Sequence, residues 1–419
     1  MQDWAGGPAR DLASLERTLI GVMEQFSFEP VRLPHLESVA LFKRGVGEAT
    51  DIVEKEMFLI QPRQEDSREQ LALRPEGTAS CVRALLEQGL LFNQQQRVYY
   101  SGSMFRYERP QKGRYREFYQ LGAEAFGYAG ADLDAELLAL AARCWQLLGI
   151  SERVSLQLNN IGSAEDRRAF GAALLDFLMP RAEGLDADSR RRLDSNPLRI
   201  LDSKSPDTQA ILAGAPRLAE FVNEDSRSHF AQLTELLAAL GIEYTVNERL
   251  VRGLDYYNNT VFEWVTEDLG AQGTICAGGR YDGLVAQLGG RPTPAAGFAM
   301  GLERVLLLCA AQQIYPGADP VDAYLCVVGD AHRGHALAQA QALREALPGL
   351  RLRCHLGGGK LDKQLKRANA CGAAVALILG DAEVSQAVMQ YKPLRGGEAS
   401  QLALDGVIAA LARDVLEGR

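Results

Sequence analysis

The stretch FRYERPQKGRYREF, residues 105–118, gathers Arg106, Arg109, Lys112, Arg114 and Arg116 in a chain whose formal charge is -9. Guanidinium groups stay ionised and present paired donors that match phosphate or carboxylate oxygens. The flat ring of Phe118 suits a purine face, where stacking contributes about 1–3 kcal/mol per base. Glu108, Gln120 and Glu124 add carboxylates and an amide close by. These residue types predict a nucleotide site mounted on a sheet, because the chain has no G-x-x-x-x-G-K-[ST] phosphate loop. A hairpin whose charges are merely solvated has the same composition, since charge on alternate positions is ordinary in antiparallel sheets. Composition alone leaves both readings open.

The elements that must hold these residues follow from periodicity. VYYSGSMFRYE (98–108) and RYREFYQLGAEAF (114–126) read as two strands joined by a loop at about 109–113. Side chains of equal parity share a face, which groups Arg106 with Glu108, and Arg114 and Arg116 with Phe118, Gln120 and Glu124. Ahead of them, Leu12, Leu15, Leu19, Val22, Met23 and Phe26 mark a helix over 9–26, and the prolines of FEPVRLPHLE confine that segment to an edge, bend or interface. A helix over 132–148 has Asp132 or Asp134 near its cap. Residues 163–240 read as an inserted helical subdomain, with Ser163 and Ser205-Pro206 as caps. Strands return at 243–265 and 272–279, and GFAMGLERVLLLCAA (297–311) reads as a helix. AQQIYPGADP (311–320) reads as a linker. Beyond it strands and helices alternate, as in a small α/β domain with a largely parallel sheet.

Length, composition and charge narrow the class. At 419 residues two or three domains are expected, and 47% hydrophobic with 24% charged residues fits a soluble globular protein. No apolar run is long enough for a bilayer. MQDWAGGPAR shows no basic-then-apolar signal, so the expected location is cytoplasmic and no membrane contact is expected. The seven cysteines are scattered without a C-x-x-C pair, which predicts buried thiols and not a disulfide framework or zinc knuckle. His332 and His335 have no third ligand nearby, so no metal site from protein side chains is expected. From Asp319 onward there are 12 basic and 11 acidic residues, while the rest has 33 and 43, making the C-terminal part the less repulsive place for a polyanion. There Lys360, Lys363, Lys366 and Arg367 form one helical stripe, which suits a phosphate backbone or, equally, plain solvation.

Arg106-x-Glu108, a loop, and Arg114-x-x-x-Phe118 resemble motif 2 of the class II aminoacyl-tRNA synthetases. LRPEGT (73–78), RGLDYYNNTVFEW (252–264) and AGGRYDGL (277–284) resemble segments peculiar to the histidyl-tRNA synthetase family. GFAMGLER (297–304) is similar to class II motif 3, and FEPVRLP to motif 1. The resemblance covers nearly the whole chain. It implies an α+β catalytic domain on an antiparallel, class II synthetase-like sheet at 1–310, with the helical insertion at about 163–240. After the 311–320 linker it implies an α/β anticodon-binding domain at 321–419. It further implies ATP and Mg²⁺, L-histidine and tRNA(His) as partners, and a homodimer.

By the same resemblance, Arg106 and Arg252 are the catalytic arginines. Glu108, Arg114, Phe118 and Arg304 join Arg106 around ATP. Glu124 and Tyr257 meet the imidazole, Tyr256 and Tyr281 line its pocket, and Glu76, Gly77, Thr78 and Gln120 surround the α-amino group. Arg109 and Gln111 approach the tRNA acceptor end. The chemistry agrees with such a set: a carboxylate attacking the α-phosphorus is already ionised and needs positioning and charge neutralisation more than a base. Taken without its neighbours, Arg252 reads more readily as a plain surface residue, and YDGL or YYN as a turn with packed tyrosines. An alternative within the same fold is a catalytically silent, histidine-sensing regulatory paralogue of the histidine-biosynthetic phosphoribosyltransferase. Such a paralogue normally lacks the C-terminal domain and the catalytic arginine segment, and both are present here. Two departures stand out. The family's usual Arg-Gly segment ahead of MQDW is missing, which leaves both a truncated start and the first strand as open questions, and Ala299 replaces the middle glycine of motif 3.

Overall fold

Leu12, Leu15, Leu19, Val22 and Met23 recur at helical spacing, and the helix Gly6–Gln25 buries all five. The chain is described here from a computed structural model that covers all but residues 1, 49, 62–69, 194–196, 316–320 and 418–419. It divides into two compact units, Met1–Pro316 and Gly317–Arg419. The second half of the predicted linker, 316–320, lies outside the described residues.

In chain order the strands of the first unit are β1 (Glu29–Pro30), β2 (Leu36–Ser38), β3 (Phe58–Ile60), β4 (Leu71–Leu73), β5 (Gln96–Phe105), β6 (Glu117–Phe126), β7 (Ser155–Asn160), β8 (Thr245–Val246), β9 (Asn258–Val265), β10 (Thr274–Arg280) and β11 (Ala295–Gly301). Eight of them make the main sheet, in the spatial order β1-β5-β6-β11-β10-β9-β7-β8, and β2, β4 and β3 make a separate small one. The six inner strands of the main sheet pair antiparallel, while β1 and β8, two residues each, pair parallel at the edges. Pro30 thus sits on an edge strand, where its missing N–H costs no ladder bond.

Pleating sorts the side chains. Leu121, Ala123 and Ala125 of β6, Phe262 and Trp264 of β9, and Ala296, Phe298 and Met300 of β11 face one layer of helices, Gly6–Gln25, Ala131–Leu147, Glu224–Leu240 and Leu302–Ala311. The opposite parity, including Tyr100, Gln120, Glu124 and Ala299, faces the other side, where the chemistry lies. The stretch 163–240 accordingly divides. Its first part is a set of short helices begun by the Ser163 capping box, whereas Glu224–Leu240 packs beneath the main sheet through Leu233 and Leu237.

Two expectations about this unit need correction. The ladder does not reach Arg106–Glu108 or Arg114–Arg116; it ends at Phe105 and resumes at Glu117. Pro110 has no N–H to contribute, and Gly113 turns the loop at a φ of 75°. Beyond the ladder, parity no longer fixes direction: the Arg116 guanidinium lies 4.2 Å from the Tyr107 ring and away from the cleft. GFAMGLERVLLLCAA is also not one helix. Residues Ala295–Gly301 complete the sheet between β6 and β10, and the helix starts at Leu302. Alternation in side-chain size explains the strand: Ala295, Gly297, Ala299 and Gly301 give one slim face, and Ala296, Phe298 and Met300 give the face packed on the helices.

The second unit has a five-stranded sheet of β12 (Ala323–Val327), β13 (Leu352–Cys354), β14 (Val375–Leu379), β15 (Met389–Pro393) and β16 (Ser400–Leu402), in the order β13-β12-β14-β15-β16. The first three strands are parallel and the last two antiparallel, so the sheet is mixed. The largely parallel expectation missed β16, three residues with almost no apolar signal, none of them buried. Helices Arg333–Ala346 and Leu404–Leu411 cover one face, and Leu361–Ala370 the other.

Candidate functional site

Missing side chains create the floor of the site. A Cβ at Gly77 or Gly122 would overlap the Tyr100 ring, and one at Gly297 would overlap the Glu124 carboxylate. Into that space β6 projects Glu124, which is 1% exposed. Its Oε1 accepts from Thr78 Oγ1 at 2.6 Å and from Tyr100 Oη at 3.3 Å, and its Oε2 accepts from Tyr281 Oη. Burial pushes Glu124 up to about 8, with Glu76 adding to the effect and the Thr78, Tyr281 and Tyr100 hydroxyls opposing it. Glu76 caps the helix Thr78–Glu87, its carboxylate accepting the Thr78 and Ala79 amides at 2.7 and 2.9 Å. Burial raises it too, against those two bonds. Tyr256, Tyr257 and Tyr281 pack together, with ring centroids 4.6, 5.5 and 6.3 Å apart.

Above this floor stands a cationic wall. Arg106 donates from Nε to the Pro75 carbonyl at 2.9 Å and lies 5.2 Å from the Phe118 ring. Arg114 pairs with Glu108 at 2.6 Å. Arg304 is held by the carbonyls of Gly113 and Thr274, at 3.0 and 2.8 Å, and by Gln272. Burial lowers Arg304, and the nearby charges of Arg106 and Arg114 lower it further. Arg252 pairs with Glu263. Burial opposes its charge, but Glu263 and the two adjacent tyrosines hold it above its ordinary value. Like charges so confined repel one another, and an anion in the cleft relieves that repulsion. Gln120 Oε1 and Arg252 Nε, on residues that line the cleft, are buried without a hydrogen-bond partner. Buried polar atoms are normally satisfied, so both point to a ligand.

The loop that carries Arg252 is fixed at several points. Arg199, from the helical insertion, donates to the Gly253 carbonyl at 3.1 Å and to Asp51 at 2.9 Å. The Asp255 amide donates to the Val46 carbonyl at 3.1 Å.

One cleft therefore brings together Glu76, Thr78, Arg106, Glu108, Arg114, Phe118, Gln120, Arg252, Tyr256, Tyr257 and Arg304. Glu124 and Tyr281 lie just beneath it, joined to it through Thr78. Gly77 backs the Tyr100 ring. Arg109 and Gln111 are exposed on the 106–116 loop outside the cleft. Sequence reasoning missed three residues of this region. Glu263 sits between buried Phe262 and Trp264 on β9, and that acid within an apolar run was the available signal. Thr274 offers none. Glu303 is 3% exposed, accepts the Tyr119 amide with both oxygens at 2.8 and 3.0 Å, and is pushed up to about 7 by burial.

Among the described residues no three His, Cys, Asp or Glu side chains converge as a metal site. The carboxylates of Glu108, Glu263 and Glu303 are each engaged by a cation or an amide. Such a donor set fits a Mg²⁺ that arrives on nucleotide phosphates and keeps several water ligands, more than one caged by protein.

A family model described as histidyl-tRNA synthetase matches residues 1–305, and one described as anticodon binding domain matches residues 322–414. Among solved structures the chain is similar to apo histidyl-tRNA synthetase of S. aureus, at 30% identity and a TM-score of 0.79, over 98% of this chain and 97% of that one. A histidyl-tRNA synthetase from a Nostoc species aligns over 100% and 98% of the two chains at 20% identity, with a TM-score of 0.72. A Bacillus halodurans structure described as an ATP phosphoribosyltransferase regulatory subunit/histidyl-tRNA synthetase aligns over 91% and 97% at 20% identity, with a TM-score of 0.62. The last two bear on the fold alone.

Proposed function

The chain belongs to the histidyl-tRNA synthetase family, with a class II synthetase-like sheet and a C-terminal anticodon-binding domain, and from that premise we propose that it is a histidine–tRNA ligase. Its first step joins the histidine carboxylate to the α-phosphorus of ATP and expels pyrophosphate. Its second moves the histidyl group to the 3′ end of tRNA(His) and releases AMP. The observation that carries this proposal is the meeting of Arg106, Arg114, Arg252 and Arg304 with Phe118 in one cleft above the Glu124 floor.

In this scheme Arg106 and Arg252 are the catalytic residues. They neutralise the two anions that must approach each other, and fixed donors do so without reorganising during the reaction. Arg114 and Glu108 flank the outer phosphates and the base, and Phe118 and Arg304 offer the adenine a ring and a guanidinium plane. Mg²⁺ bound to the triphosphate adds neutralisation of phosphate charge. The imidazole is read by Glu124 and Tyr257 between Tyr256 and Tyr281, while Glu76, Thr78 and Gln120 meet the α-amino group beside Gly77. A pocket whose buried polar atoms lose their partners rejects analogues by about 10⁴–10⁵.

Arg109 and Gln111, exposed on the motif 2 loop, approach the acceptor end, and the unit after the 311–320 linker binds the anticodon. The assembly is a homodimer. Leu36, Leu59 and Ile60, exposed on the small sheet, are apolar surface that such an interface would cover. No helix among the described residues is long and apolar enough to cross a membrane, and the proposed location is the cytoplasm.

ATP–pyrophosphate exchange, run with each amino acid in turn, tests the activity. Exchange that depends on histidine alone is expected. Histidine binding with no exchange would instead support a sensor of the regulatory-paralogue kind.

A further inference from the structure

Arg252 is delivered by a loop, yet its side chain is anchored in the middle of the sheet. Glu263, on β9 opposite Ala277 of β10 and Gln157 of β7, takes the Arg252 Nη1 on its Oε1. Its other oxygen accepts from Thr274 Oγ1 at 2.9 Å. Thr274 is itself fixed, since its carbonyl accepts from Arg304 Nη1 at 2.8 Å. Arg252 and Glu263 are only 18% and 17% exposed. The guanidinium is a rigid planar fork, so holding one nitrogen sets the direction of the others. Arg252 Nε is left buried and without a partner.

Resting on the assignment of Arg252 above, we infer that Glu263 is a positioning residue for histidine activation. With Thr274 it aims the free edge of Arg252 at the reacting anions. It also cancels one positive charge in a cleft already crowded by Arg106, Arg114 and Arg304, so Arg252 stays in place before substrate arrives. Glu263 lines the same cleft but acts through Arg252. A carboxylate that merely completed an ion pair would contribute to folding and leave the chemical step alone.

The test is steady-state ATP–pyrophosphate exchange with histidine and ATP varied, on the full chain and on Glu263→Gln, Thr274→Val, Arg252→Ala and the Arg252→Ala/Glu263→Gln double variant. Glu263→Gln should lower kcat by about 10–100-fold, the size of loss found when partners that orient metal ligands are removed. KM for both substrates should change by less than about threefold, because the variant misdirects Arg252, whose contact with the reacting anions tightens only in the transition state. Thr274→Val should show the same split to a smaller extent, and it carries the test if Glu263→Gln does not fold. The double variant should be no slower than Arg252→Ala. Wild-type kcat in Glu263→Gln, a loss confined to KM, or a double variant slower by the product of the single effects would each overturn the inference. Full exchange in Arg252→Ala would instead remove the premise that Arg252 is catalytic. Loss in Arg252→Ala with none in Glu263→Gln would remove Glu263 alone.

Discussion

At Arg252 burial and charge pull in opposite directions, and a bound anion changes the balance only when it reaches the guanidinium. If that interaction tightens in the transition state, Arg252→Ala should cut the exchange kcat by about 10²–10³-fold, as removal of a preorganised donor does. The histidine KM should barely move. Equal losses in kcat and in histidine affinity would contradict the role. Glu124 gives a prediction of a different kind. The free protein holds a proton there up to about pH 8, while free imidazole protonates near about 6.5. If the complex shares one proton between ring and carboxylate, binding takes up a proton above the upper value and releases one below the lower. Histidine affinity should therefore be flat between the two and fall outside them, and calorimetry in buffers of differing ionisation enthalpy reads this directly. Affinity rising steadily with pH would rule it out. The same shift bears on stability: between the ordinary carboxyl value of 4.5 and about 8 the native state binds more protons than the unfolded one. Stability contributed by this site is full at the low end and is lost as pH rises. Arg106, Arg114, Phe118 and Gln120 were legible from residue type, because side chains that suit phosphate and purine are few. Glu263 was not, because its role depends on a partner eleven residues earlier in a loop whose path no periodicity records.

The segment that carries Arg252 is neither strand nor helix, and its shape is borrowed from elements far away in sequence. Arg199 of the insertion ties the Gly253 carbonyl to Asp51, at 3.1 and 2.9 Å. A hydrogen bond to a charged group contributes about 1.5–3 kcal/mol. Arg199→Ala should therefore loosen residues 252–257, raising their amide exchange, and should lower the exchange kcat by about tenfold through a smaller population of aligned loop. Unchanged amide protection would show that the insertion does not hold this loop. Elements were legible where one face is plainly apolar, as in Gly6–Gln25 and Ala131–Leu147. GFAMG misled because glycine and alanine carry little periodic signal, and only the register against β6 and β10 reveals a strand. The ends of β5 and β6 misled for a related reason: Arg and Tyr continue to alternate after the ladder has stopped.

Across the whole chain, the alternation after residue 321 gave away the second unit, because strands such as Ala323–Val327, buried at every position, read as unbroken apolar text. Its last strand was hidden, since β16 is three residues long with a single apolar side chain and none buried. The uneven charge along the chain gives a test that separates the two proposed reactions. On the helix Leu361–Ala370, Gln364 and Ala368 face the sheet, leaving Lys363, Lys366 and Arg367 exposed. Lys360, which caps that helix, is exposed too. Changing exposed side chains of this kind shifts stability by less than about 0.5 kcal/mol, so the fold should tolerate Lys363→Glu, Lys366→Glu and Arg367→Glu together. For each phosphate that the variant no longer neutralises, the salt dependence of tRNA binding should shrink by about one unit of logarithmic slope. If this stripe lies along the tRNA backbone, the triple variant should raise the KM for tRNA and flatten its dependence on salt. It should do so while leaving ATP–pyrophosphate exchange at the wild-type rate, because the cleft proposed for adenylation is lined only by residues of the first unit. An unchanged tRNA KM with an unchanged salt slope would make the stripe a solvated face, and the tRNA would then have to be held by other residues of that unit.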